Sequence, residues 1–481
     1  MQALFGVNLP LAYVGQEAVV RTLYKKAPYS LSDADLDVFF SGPAWLTWQR
    51  SQGTRGWGGP LPLGWIDDHQ VLQRQILTAM RVIGMMPVLP AFGGWVPTAL
   101  QRLYPHANIS RVGKPPLCAT GTLGDTYGCP AMVDAVDPLF QQLGRDWMAQ
   151  LNETYGTGDH MFGADGFFST IHAPWATLGT EQSKQGTEMS DDDADNFELL
   201  RNQPPEWWAA HAKGAYQAMA NFDPQAVWVY QSYPWHQFIY YHKAVPGGGD
   251  PITLTRSLSK AWVSAVPKGK LLLLDLWADA GPLWHLLDSF FGHDWIWCML
   301  HSFGGNDGLW GDLLTVSREP TLALQKSPGL QGFSITPEGI NQNWIVYELM
   351  LETPWLEQPL STPELSSWIE AYAQRRGHGV SPAAQVHVKS AWQALSTSVY
   401  NLSCASPDNT AHNSSVCPAQ REPGLGFHAL NRQPTLSYSS KSLFYDIKPL
   451  VSAWGELLKA TVATDGKPPS TLLHDLIDVS R

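Results

Sequence analysis

The sequence predicts an α/β chain, a (β/α)8 TIM-type barrel without its first strand, followed by part of an all-α domain. Three observations predict it. Apolar runs at residues 271–276, 295–301 and 332–335 are separated by helix-length intervals, and short apolar strands alternating with helices form a parallel sheet buried on both faces. Each run finishes among polar or acidic residues: Asp275, the stretch His301-Ser-Phe-Gly-Gly-Asn306, and Thr336-Pro-Glu338-Gly. In a closed barrel the C-terminal strand ends carry the catalytic residues, so Glu338 is expected at the mouth. Counted along the chain, strands recur near residues 7, 86, 161, 226, 271, 295 and 332. Seven strands leave a (β/α)8 barrel one short, and the missing one is expected before Met1.

Taken in order, Met1-Gln-Ala-Leu-Phe-Gly6 reads as the last turn of a helix closed by Gly6, leading into a strand over 7–12. It has neither the basic nor the apolar region of a signal peptide, and no run reaches membrane-spanning length. The chain therefore reads as truncated. Tyr13-Val-Gly-Gln-Glu17 is a polar cluster at a strand end, followed by a helical stretch. The loop 42–64, rich in Gly, Pro and Trp, is too long for a mere connection and suits a wall of the active site. Asp67 or Asp68 is expected to cap a helix with Leu72, Ile76, Met80 and Ile83 on one stripe, ended by Gly84. The rhythm then repeats. Helix 139–155 leads to strand 161–165, helix 206–221 to strand 226–230, and helix 254–266 to strand 271–276. From Trp344 the strands stop. Helices are expected over 344–352, 362–375, 382–399, 449–461 and 469–477, which divides the chain into a barrel, 1–343, and the beginning of a helical domain, 344–481.

Composition narrows the function. Of the 481 residues 44% are hydrophobic, ample for a large core. A net charge of −12 without a basic stripe argues against a nucleic-acid partner. Twenty-two tryptophans either fill the core or, at the mouth of a cleft, stack on sugar rings. Cys118 with Cys129, and Cys404 with Cys417, bracket polar loops, whereas Cys298 lies inside an apolar strand. Two short-range pairs without clustered His read as disulfides, not as a metal site, and Cys298 as a buried thiol. Disulfides imply an oxidising compartment. The sequons at Asn108, Asn152, Asn401 and Asn413 agree with a secreted or lysosomal glycoprotein. The acidic run 191–195 reads as an exposed loop, with a calcium site as the lesser alternative.

Acidic residues at barrel-strand ends, a Trp-rich wall, disulfides and sequons together suggest a glycoside hydrolase, whose chemistry needs two carboxyl groups about the scissile bond. Specific motifs sharpen this. Trp295-Ile-Trp-Cys-Met-Leu-His-Ser-Phe-Gly-Gly-Asn306, Thr336-Pro-Glu-Gly-Ile-Asn-Gln-Asn343, Leu11-Ala-Tyr-Val-Gly-Gln-Glu17, Phe39-Phe-Ser-Gly-Pro-Ala-Trp-Leu-Thr-Trp48 and Gly84-Met-Met-Pro-Val-Leu-Pro-Ala-Phe92 resemble the lysosomal alpha-N-acetylglucosaminidases, glycoside hydrolase family 89. The resemblance spans essentially the whole chain. It implies removal of terminal alpha-linked N-acetylglucosamine from heparan sulfate or related glycans with retention, no cofactor, and a glycan as the partner. It implies no membrane partner, and a homo-oligomer is left open.

Carried over by motif, Glu338 matches the catalytic nucleophile; a helix cap for a helix beginning near Ile340 is its alternative reading. His301, Asn306, Gln16 and Glu17 lie where the family builds its substrate pocket, and Asp165 matches a further family position. The family strand ends Gly-Ala-Asp-Thr-Phe-Asn-Glu, the final Glu being the acid/base. Here the corresponding residues are Gly163-Ala-Asp-Gly-Phe-Phe-Ser169. Ser169 thus takes the acid/base position, and Phe168 that of the Asn. Three readings follow: the glycosidase itself, a catalytically impaired glycan-binding homologue, and a scaffolding protein that keeps only the fold.

Overall fold

The computed structural model describes residues 2–51, 56, 58–111, 131–164, 203–236, 238–239, 249–302, 309–338, 343–401, 446–464 and 467–480. It forms two compact units, Met1–Leu274 with Leu283–Trp295, and Asp275–Pro282 with Ile296–Arg481.

The first unit begins with a 3-10 turn, Gln2–Phe5, closed by Gly6 at φ 78° as expected. Residues 7–12 then run beside 86–88: Met86 N–H donates to Asn8 O (2.8 Å), Val88 N–H to Pro10 O (2.9 Å) and Ala12 N–H to Val88 O (2.9 Å). The expected strand shrinks to a single bridge, Leu11 to Val88. Proline is the reason, because Pro10 has no N–H to give the ladder. Helix α1 is Gln16–Lys25 and helix α2 is Leu63–Val82. The loop expected between them is partly helical, with Pro43–Trp45 and Leu46–Ser51 forming short turns. Pro62 stands at the N-cap of α2 with φ −60°, so Asp67 and Asp68 lie inside the helix and cap nothing. A ring-fixed φ makes Pro a natural helix entry.

Strand β1, Leu89–Pro90, is followed by three strands that sequence periodicity did not predict: β2, Trp95–Val96, β3, Ile109–Arg111, and β4, Ala131–Val133. They pair antiparallel in the order β2–β4–β3, with Trp95 and Ser110 both opposite Met132. Helix α3, Pro138–Tyr155, leads to β5, Met161–Gly163. Helix α4, Pro205–Ala220, leads to β6, Val227–Gln231, and helix α5, Pro251–Ser264, to β7, Leu271–Asp275. The strands β1, β5, β6 and β7 are parallel neighbours in that order, Leu89 opposite Phe162, Phe162 opposite Trp228 and Val229 opposite Leu272. Helices α3 and α4 approach so closely at Gly144 that a Cβ there would lie 2.5 Å from Ala218 Cβ.

The tryptophans of this unit are mostly structural. Trp208, Trp228, Trp235 and Trp262 are fully buried, and Trp208 packs on Trp235 and Trp262 with centroids 5.1 and 6.1 Å away. Such aromatic clusters bury large area in tilted and edge-on contacts.

In the second unit, β8, Asp294–Met299, enters from Ile296 and neighbours β9, Leu330–Ile335, across helix α6, Leu313–Lys326. Cys298 is a buried free thiol, as its apolar setting predicted. Helices α7, Trp344–Glu352, α8, Thr362–Arg376, α9, Pro382–Ser396, α10, Ile447–Val462, and α11, Ser470–Ser480, follow close to their predicted positions. Ser361 and Glu364 form a capping box on α8, which satisfies two orphan N–H groups reciprocally. Helix α11 is tied to α8 by a buried ion pair, Arg376 Nε lying 2.9 and 3.1 Å from the Asp475 oxygens.

The outer two cysteine pairs, Cys118 with Cys129 and Cys404 with Cys417, lie outside the described residues. So do the acidic run 191–195 and the sequon at Asn413.

Candidate active site

Glu338 stands three residues beyond the C-terminal end of β9 and is exposed. Its N–H donates to Ser302 O at 3.0 Å, and Thr336 N–H donates to Met299 O at 2.9 Å. The backbone after β9 is thereby stitched to the backbone after β8. The helix that follows starts at Trp344, not near residue 340, so Glu338 is not its cap.

The turn after β8 is built around His301. Its φ of 51° is unusual for a residue with a Cβ and costs about 1–2 kcal/mol unless other contacts hold it. Asp279 supplies such contacts. Its carboxylate accepts from Leu300 N–H at 3.0 Å and from His301 N–H at 3.2 Å. The ring of His301 lies 4.1 Å from that of Trp310 and meets Tyr347 edge-on. Its Nε2 is 2.9 Å from Asn343 Nδ2, which fixes Nε2 as the acceptor. Asn343 in turn accepts from Tyr400 Oη at 3.1 Å and from Trp310 N–H at 3.4 Å.

Burial decides the charges here. His301 is 1% exposed, and desolvation pushes its pKa down to about 3, so the imidazole stays neutral. Burial raises Asp279 to about 7 against the pull of the backbone N–H bonds, with the charge of Asp312 adding to the rise.

Gln16 and Glu17 belong to the first unit, at the start of α1. Glu17 is fully buried and forms a bidentate pair with Arg50, Nε at 2.9 Å and Nη2 at 2.8 Å. Gln16 Nε2 donates to Arg50 O at 3.3 Å, and His69 Nδ1 lies 3.0 Å from Arg50 Nη2. Both predicted residues thus serve to hold Arg50. Asp165, Ser169, Phe168 and Asn306 lie outside the described residues. Among the described residues no three His, Cys, Asp or Glu side chains are placed to hold a metal ion.

Sequence reasoning missed Asp279, Arg50 and Asn343. Asp279 carried a signal, four residues beyond Asp275 on the same strand exit, and Asn343 closed a motif already noted. Nothing marked Arg50, whose role depends on a helical turn the periodicity did not predict.

The family model described as alpha-N-acetylglucosaminidase (NAGLU) tim-barrel domain matches residues 1–357. The chain belongs to the alpha-N-acetylglucosaminidase family. The model of that family's C-terminal domain matches residues 368–481. Human alpha-N-acetylglucosaminidase is 34% identical over 480 residues, which cover 100% of this chain and 55% of that protein. A family 89 glycoside hydrolase from Clostridium perfringens, solved with 2-acetamido-1,2-dideoxynojirmycin, matches with a TM-score of 0.68 at 23% identity, over 99% of this chain and 46% of that one. The same organism's enzyme solved with GlcNAc-alpha-1,4-galactose matches with a TM-score of 0.68 at 23% identity, over 99% and 45%. The chain therefore spans about half the length of its relatives. The fold it shares with them is the predicted α/β barrel followed by a helical domain.

Proposed function

We propose that this chain carries the catalytic site of a retaining alpha-N-acetylglucosaminidase that releases terminal alpha-linked N-acetylglucosamine from heparan sulfate-like glycans, with Glu338 as nucleophile. The observation that supports it is the position of Glu338, exposed beyond the end of β9 and held by its N–H to Ser302, in a chain of this family. Barrel enzymes carry catalytic groups at that end. In such a reaction Glu338 attacks the anomeric carbon, the glycosidic C–O bond breaks, and the glycosyl-enzyme is then hydrolysed by water. Neither step needs a metal or cofactor.

The motifs propose Gln16, Glu17, Asp165, His301 and Asn306 for sugar binding. Gln16 and Glu17 are engaged with Arg50, so theirs is a supporting part. The barrel is taken to end at residue 343, with the helical domain starting at 344. Neutral His301, its Nε2 already accepting from Asn343, offers shape, not a proton. We place the protein in the lysosome or outside the cell, with bridges Cys118–Cys129 and Cys404–Cys417. The sequon residues Asn108, Asn152 and Asn401 are exposed, with Asn108 Nδ2 donating to Asp134 at 2.8 Å.

Ser169 favours a second reading. A serine hydroxyl cannot protonate a leaving alcohol at acid pH, so the chain would bind glycans and turn them over poorly. Comparing an aryl alpha-N-acetylglucosaminide, whose leaving group needs no acid, with GlcNAc-alpha-1,4-galactose separates the two. Turnover of both substrates that disappears in Glu338→Gln supports the first reading. Binding of GlcNAc-alpha-1,4-galactose with slow or no turnover of it, whatever the aryl rate, supports the second. Full aryl hydrolysis by Glu338→Gln removes Glu338 from the role.

A further inference from the structure

We propose that Asp279 is a positioning residue for Glu338, acting through the turn at residues 300–302. The inference rests on the reading of Glu338 as nucleophile. Asp279 is 7% exposed, so it acts on protein groups. Its two oxygens grip two successive N–H groups, those of Leu300 and His301, where β8 ends. That grip fixes the left-handed backbone of His301 at φ 51°. Two consequences follow from the turn so formed. The carbonyl of Ser302 faces the N–H of Glu338 at 3.0 Å. The His301 ring reaches Asn343, with Nε2 and Nδ2 2.9 Å apart, and Asn343 stands at the N-cap of α7. The segment bearing Glu338 is thus anchored at residues 338 and 343 to one three-residue turn, and Asp279 holds that turn from behind.

Without the carboxylate, His301 is free to relax to a negative φ, which swings the Ser302 carbonyl and slackens both anchors. A displacement of about 1 Å at a reacting group is enough to lower rates by about 10²-fold. The proposal is tested on the full chain by the rate at which an activated 5-fluoro alpha-N-acetylglucosaminyl fluoride labels Glu338. That reagent needs no acid, so Ser169 does not limit it. Binding of 2-acetamido-1,2-dideoxynojirmycin is measured alongside. Asp279→Ala is expected to slow labelling by about 10²-fold while inhibitor affinity changes only a few-fold, and Asp279→Glu, which keeps the carboxylate, recovers most of the rate. If Asp279→Ala does not fold, Asp279→Asn carries the test. It keeps one acceptor of two, and its rate should fall between those of the wild type and Ala. Wild-type labelling in these variants overturns the proposal, as does a parallel loss of labelling and inhibitor binding that Asp279→Glu fails to rescue. Absence of labelling in the wild type instead removes Glu338 as nucleophile, and this role with it.

Discussion

Glu17 is a tightly held charge of the first unit, with a side chain wholly out of solvent and both oxygens on Arg50. Removing one partner of a buried pair leaves an uncompensated charge, which costs about 3–5 kcal/mol. Arg50 is 14% exposed, so Arg50→Ala should fall at the lower end of that range in urea melts, and Arg50→Lys should not restore it because a Lys cannot bind bidentately. Glu17→Gln should cost less, since its amide oxygen still accepts from Arg50, whose side chain is 14% exposed and can be partly hydrated. At Ser169 the expected outcome concerns rate. General acid–base help is worth about 10²–10⁴-fold, so Ser169→Glu with Phe168→Asn should raise hydrolysis of natural alpha-N-acetylglucosaminides by that order, and azide should speed the second step in the unmodified chain. Full activity on a natural substrate with Ser169 in place would falsify this and turn attention to His172 or Glu181.

Between elements, α3 and α4 approach closely at Gly144 and Ala218, where a second Cβ has no room. Overpacking costs about 1–3 kcal/mol. Gly144→Val should lower stability within or above that range, and Ala218→Gly should recover part of the loss, a coupling measurable by a double-mutant cycle. Elements of this size were legible in the sequence. Strands β6 to β9 and helices α3 to α5 and α7 to α11 follow from apolar runs punctuated by Pro and Gly, because each is long enough to show its period. The short β5 is legible from its place after helix α3 and Gly156 and Gly158. Strands β2 to β4 have two or three residues each, too few for any alternation. The strand over 7–12 failed on a local detail, the missing N–H of Pro10. In the candidate site, Glu338 and His301 were legible as polar residues at strand exits. Asp279 was marked only as a second acidic residue after Asp275 and Arg50 not at all, because their roles come from backbone conformations: the left-handed turn at His301 and a short helix over Leu46–Ser51.

The whole molecule feels two buried groups in opposite senses. Folded Asp279 keeps its proton up to about 7 instead of 3.8, so over that window the folded chain binds more protons and stability falls as pH rises. Folded His301 refuses its proton down to about 3 instead of 6.5, so there the unfolded chain binds more and stability rises with pH. Each slope approaches about 1.4 kcal/mol per pH unit, and they oppose each other where the windows overlap. Relative to the parent chain, urea melts of His301→Gln should lose about 2–3 kcal/mol of stability between pH about 4.5 and 6.5. Asp279→Asn should shift the other way relative to the parent over the same interval. Equal slopes in all three would remove both groups from the account.

Cys298, in the middle of β8, has a wider use. Burial raises its thiol well above the ordinary range, and only the thiolate attacks a disulfide reagent. In the folded chain it is therefore silent, and it reacts only in molecules whose β8 has come away from its neighbours. The rate of its modification by a small aromatic disulfide, compared with the rate of an exposed thiol, gives the free energy of that opening. The strand that ends in the His301 turn thus carries its own clock, and the bound inhibitor should slow it.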